Sequence, residues 1–150
     1  MMHRWAARLL VLALCALVPG LSSAQGQPSR KDLVTGSRLD QNTPNPFNPE
    51  TRISFAIGGF PNCVDAGRQY RVSLRIYNVL AQVVAVPVLQ GGAAGVAGGQ
   101  PLDAVLLTCG EYTAYWDGKL RSGREAASGI YGYRLEVDGR AITRKMTIRK

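Results

Sequence analysis

Apolar and polar residues alternate one for one through long stretches of this chain, and that period of two restricts those stretches to half-buried β-strands. Tyr70, Val72, Leu74 and Ile76 alternate with Arg71, Ser73 and Arg75, as Ile53, Phe55 and Ile57 do with Arg52, Ser54 and Ala56. Residues 129–137 and 141–148 flank Asp138-Gly139, the pair preferred in a two-residue type I′ hairpin turn. Such a turn places Val137 opposite Arg140, and hence Leu135 opposite Ile142, Tyr133 opposite Arg144 and Tyr131 opposite Met146. The shared face is apolar except for Arg144, and a buried unpaired guanidinium is costly. Two arrangements relieve it. Either the pair lies at the rim, with the arginine stem on the Tyr133 ring and its charged end in water, or a bulge between Gly139 and Met146 turns Arg144 outward.

The remaining elements follow the same period. Tyr112, Ala114 and Trp116 share one face of a strand ending at Asp117-Gly118, and a strand over residues 82–86 ends, or lies at an edge, before Pro87. Residues 90–100 carry five glycines among small residues and form a flexible excursion, followed by a short strand over residues 102–107 before Cys109. With 17 Gly and 8 Pro supplying turns and no helical period, the expected fold is an all-β, immunoglobulin-like antiparallel sandwich of two sheets.

The chain opens differently. Arg4 and Arg8 precede an apolar run over residues 9–18, broken by Pro19-Gly20 ahead of Leu21-Ser22-Ser23-Ala24. That is the order of a secretory signal peptide over residues 1–24, with cleavage expected after Ala24, and the run is too short for a stable membrane span. A polar linker over residues 25–41 and a single domain over residues 42–150 are expected to follow. Removing Arg4 and Arg8 lowers the formal charge from +8 to +6. The basic residues are dispersed rather than massed, which argues against nucleic acid as partner and favours an anionic cell surface or polysaccharide. Cys15 leaves with the signal, so Cys63 and Cys109 remain as an even pair in an exported chain, and a disulfide between them is expected.

Chemistry is sparse. His3 is the only histidine and lies in the signal, so the remainder has no imidazole for a catalytic triad or a metal. Ser128, between Ala127 and Gly129, reads as a turn residue rather than a nucleophile, and Asp117 and Asp138 each precede a glycine, as turn chemistry requires. No catalytic residue, cofactor or metal site is expected. Among the aromatic residues, Tyr112, Trp116, Tyr131 and Tyr133 are assigned to the core, and Tyr115, on the opposite strand face, is the candidate for stacking on a sugar. Pro44-Asn45-Pro46-Phe47-Asn48-Pro49 predicts a stiff, extended arm anchored by its single large apolar residue, Phe47.

These residues carry a likeness. Pro44, Asn45, Pro46, Phe47, Asn48 and Pro49, the run Ile76-Tyr77-Asn78-Val79-Leu80-Ala81-Gln82-Val83, Gly110-Glu111-Tyr112, Trp116, Asp117 and Gly118, then Ser128, Gly129 and Tyr131, and finally Lys145-Met146-Thr147-Ile148, occur in an order that resembles the type A C-terminal sorting domain of type IX secretion. That domain is similar to the Ig-like domain of the flagellar hook-capping protein. The resemblance implies export through the inner membrane, recognition by an outer-membrane translocon and delivery to the cell surface or medium; Lys145, Arg149 and the terminal Lys150 either solvate an edge strand or are part of what the translocon reads. Ala81 stands where the family usually has glycine. A sorting domain usually follows a cargo domain, whereas only residues 25–41 separate signal from motif. The chain is therefore expected to be a very small exported protein, a fragment of a longer gene, or a sandwich that is itself the functional object. A structural or adhesive Ig-like module of the cell envelope is the alternative function.

Overall fold

The computed structural model describes residues 36–91 and 96–150. The expected signal peptide, its expected cleavage after Ala24 and most of the expected linker lie outside the described residues. Among the described residues there are nine strands: β1 (Arg38–Leu39), β2 (Thr51–Ile57), β3 (Gln69–Tyr77), β4 (Val83–Ala85), β5 (Val88–Gln90), β6 (Val105–Thr108), β7 (Gly110–Trp116), β8 (Gly129–Val137) and β9 (Arg140–Ile148). One sheet has the order β1-β2-β7-β5 and the other β4-β3-β8-β9, with β6 also beside β3, all in antiparallel pairs. The fold is thus an Ig-like β-sandwich, and the alternation explains its core. Ile53, Phe55 and Ile57 of β2 and Tyr112, Ala114 and Trp116 of β7 are buried against Val72, Leu74 and Ile76 of β3 and Tyr133, Leu135 and Val137 of β8.

Two of the places where the chain passes from one sheet to the other are marked in the sequence. Ala85 of β4 pairs with β3, whereas Val88 of β5 pairs with β7, so the crossing falls at Val86-Pro87. Proline has no N–H for a ladder, and its carbonyl instead accepts from the Leu102 N–H at 2.9 Å. The second crossing is at Cys109, between β6 in one sheet and β7 in the other. There Cys109 is bonded to Cys63, with Cα atoms 5.7 Å apart, so the β2–β3 loop is stapled to the crossing.

The last hairpin has the expected turn and register. Asp138 and Gly139 have φ of 49° and 80°, and pairing runs unbroken from Val137↔Arg140 to Gly129↔Ile148. There is no bulge, and Tyr133 faces Arg144. Relief comes from a different source than a charged end reaching water: Arg144 Nε donates to the Leu39 carbonyl of β1. Leu39 lies on a strand at the margin of the other sheet, whose outward carbonyl offers an acceptor that hairpin register alone does not reveal. Tyr133 adds a second latch, its hydroxyl donating to Asp40 O at 2.8 Å and accepting from Asn42 N–H at 3.0 Å.

The proline-rich arm is bent rather than extended. Pro44 O accepts from both Asn42 Nδ2 and Thr51 Oγ1, each at 3.0 Å, and Asn45 Oδ1 accepts from the Thr147 N–H of β9 at 3.0 Å. These side-chain bonds turn the arm along the free edge of β9. Phe47 then continues as a parallel bridge to Ile148.

Candidate functional site

Several residues of the sequence motifs, far apart along the chain, converge at one end of the sandwich, whereas Gly110 and Glu111 lie at the other end of β7 from Trp116. Phe47 is buried, with its ring 5.5 Å from that of Trp116, and Trp116 lies 5.8 Å from Tyr131, both pairs edge to face. Trp116 Nε1 donates to Lys119 O at 2.8 Å, and Asp117 Oδ1 accepts from the Lys119 N–H at 3.0 Å. Gly118 has φ of 76°, and a Cβ there would collide with the Pro49 carbonyl oxygen, so the turn and the arm both require glycine. Ser128 Oγ accepts from the Lys150 N–H at 3.1 Å, and Lys150 Nζ pairs with Glu125 at 2.7 Å, an ion pair that lowers the Glu125 carboxyl pKa. The cluster closes the fold where its two ends meet.

Ser128 is therefore a latch for the chain end. An activated nucleophile needs a general base within hydrogen-bond reach, and the partner found here is a backbone N–H. Among the described residues no three of His, Cys, Asp and Glu gather as a metal-binding group. Tyr131 is half-buried rather than fully in the core assigned to it, because its hydroxyl reaches out to donate to Ala127 O at 3.0 Å.

Among the described residues, two of the concave regions on the surface bear on binding. One, of about 550 Å³, lies beside the β4–β5 crossing and is lined by Tyr115, Val86, Pro101, Leu120 and the two cations Lys119 and Arg121. Tyr115 is thus partly exposed, as its strand face predicts, but its hydroxyl donates to Glu50 Oε2 at 2.6 Å, and that bond raises its pKa. The other lies on the outer face of the β3-β8-β9 sheet. There Tyr77, Gly132 and Lys145 form one cross-strand row, and Arg75, Arg134 and Thr143 form the next. Two adjoining hollows of about 400 and 260 Å³ share Gly132 as part of their lining. Sequence periodicity alone does not reveal this face. Its signal was a glycine at an outward position of a strand, between Tyr131 and Tyr133.

No family model matches the chain, and no curated protein matches it. Among solved structures, its fold is similar to the Pseudomonas fluorescens alkylpurine DNA glycosylase AlkC bound to DNA containing an abasic site analog, with TM-score 0.46 and 13% identity, over 77% of this chain and 31% of that one. At that distance no activity carries over from the glycosylase. The sorting role expected for Pro44, Asn45, Pro46, Phe47, Asn48, Pro49, Trp116, Asp117, Gly118, Ser128, Gly129, Tyr131, Lys145 and Lys150 finds no support in these comparisons and is withdrawn. The geometry supplies a physical reason for much of the motif without it: Phe47 and Trp116 pack, Asn45, Asp117 and Ser128 hold backbone groups, and Gly118 makes room for the arm.

Proposed function

We propose that the chain is a non-catalytic, exported module of the bacterial cell envelope that acts structurally or adhesively through its surface. The observation that carries this reading is the Cys63–Cys109 disulfide at the sheet crossing, since disulfides form and persist in oxidising compartments outside the cytosol. The order of charges, apolar run and small residues over residues 1–24 supports the same destination. A sandwich latched at both its arm and its chain end offers rigid faces, and the formal charge of +6 that remains without residues 1–24 favours anionic partners.

The test is fractionation of a bacterium expressing the full chain, with thiol trapping of each fraction. Cosedimentation with envelopes at 0.15 M salt, with both cysteines oxidised, is expected. Recovery in the cytosol with free thiols, or failure of the purified oxidised protein to bind isolated envelopes, overturns the reading.

A further inference from the structure

Gly132 occupies an interior position of β8, a strand flanked on both sides by β3 and β9. Glycine weakens a strand interior, since it orders a freer backbone and offers no side chain to its cross-strand neighbours. Two internal reasons for accepting it are absent. Its backbone does not have the positive φ that favours glycine, and a Cβ built there would meet only Arg144 O, at an ordinary 3.8 Å. A third reason is the close approach of something from outside the fold.

The surroundings specify what would approach. Without a side chain at Gly132, the row Tyr77, Gly132 and Lys145 has a gap between an aromatic ring and an ammonium. Asn78, Val79, Thr143, Arg134 and Arg144 are among the residues that also line the two hollows, and the lining contains no carboxylate. Arg75, in the same row as Arg134, is held by Asp103 at 2.6 Å, whereas no ion pair of Arg134 or Lys145 is found among the described residues. Glu136, the acidic residue of β8 on this face, lies in the row beyond Arg134, opposite Ser73 and Ala141. Val79 is 81% exposed and Ile130 57%, which adds apolar surface at the rim.

We propose that this face binds an acidic polysaccharide, with a sugar ring seated over Gly132 against Tyr77 and its carboxylates held by Arg134 and Lys145. A sugar ring has an apolar face suited to an aromatic wall, and uronic carboxylates match two separated cations. An acidic peptide fits less well, because an extended peptide gains its affinity from main-chain hydrogen bonds to a sheet edge. Here the concavity lies on a sheet face, where β8 is already laddered on both sides. The Tyr115 cleft is the weaker candidate, since Asp117 lines it and Glu50 occupies the Tyr115 hydroxyl.

The proposal rests on the reading of the chain as an envelope-binding module, and the experiment separates the two. Purified oxidised protein is titrated with alginate, with dextran as the neutral control, at 0.15 M salt, and in parallel with isolated envelopes. Gly132→Leu fills the gap, Arg134→Gln with Lys145→Gln removes the cations, and Arg121→Gln with Arg124→Gln removes equal charge elsewhere. Thermal denaturation confirms that each variant is folded, and Gly132→Ala replaces Gly132→Leu should the latter unfold. Alginate binding without dextran binding is expected, weakened about tenfold or more by the groove variants and little by the charge-matched control. Equal weakening by both charge variants would show a diffuse field and overturn the site. Envelope binding without alginate binding overturns the polysaccharide assignment alone, and binding to neither overturns the envelope reading with it.

Discussion

Tyr133 shows how one side chain joins the two sheets. Its ring is fully buried, yet its hydroxyl bonds Asp40 and Asn42, so the leading segment is tied to β8 through a single phenol. Burial disfavours the phenolate most strongly, and although the Asn42 N–H and Arg144 oppose the shift, the pKa is pushed up to about 12. The direction fixes the pH dependence. Below the unfolded-state value near 10 both states keep the proton and the contribution is fully present; as pH rises from there toward 12 the unfolded chain ionises first and stability is lost, by up to about 3 kcal/mol. Urea denaturation between pH 9 and 11.5 should show this fall, and Tyr133→Phe should flatten it while costing about 1 to 3 kcal/mol at pH 7 by leaving the Asn42 N–H unpaired. Parallel pH profiles for the two proteins would assign the alkaline loss elsewhere.

At the scale of elements, the turn between β3 and β4 combines good capping with local strain. Asn78 Oδ1 accepts from the N–H groups of Leu80 and Gln82, each at 3.0 Å, and Ala81 N–H donates to Asn78 O at 3.0 Å. That geometry drives Ala81 to φ of 59°, where a Cβ crowds the following carbonyl and glycine does not. An alanine at this position, where glycine would be unstrained, thus has a structural cost. Ala81→Gly should raise stability by about 0.5 to 1 kcal/mol, the relief of strain being partly offset by the greater freedom of glycine in the unfolded chain. A urea midpoint that falls or does not move would show that the turn carries no such strain.

For the whole molecule, the disulfide spans 46 residues that include β3, β4, β5 and β6, so it restricts much of the unfolded chain. Closing a loop of that length stabilises the fold by about 4 kcal/mol through lost unfolded-state entropy. Cys63→Ser with Cys109→Ser should therefore lower the unfolding free energy by about 3 to 4 kcal/mol, while circular dichroism still reports a β-sandwich at low temperature. A loss under about 1 kcal/mol would mean that the unfolded chain already holds those ends together.

Legibility followed the range of the interactions. The longer strands, the type I′ turn, the hairpin register and the Cys63–Cys109 pairing rest on neighbours in sequence or on the scarcity of partners and were readable from the residues, whereas the short strands β1, inside the segment read as a linker, and β5, just past Pro87, were not. The destination of Arg144 was not, because its acceptor on Leu39 lies in a different sheet. Nor was the bend of the arm, since Asn45 reaches Thr147 instead of its own local backbone. The groove was hidden for a related reason. Alternation assigns Tyr77, Gly132 and Lys145 to an outward face of three separate strands, but only the register that the hairpin and the β3–β8 pairing set together brings them into one row. The period of two determined which residues face outward, and the tertiary pairing decided which of them share a surface.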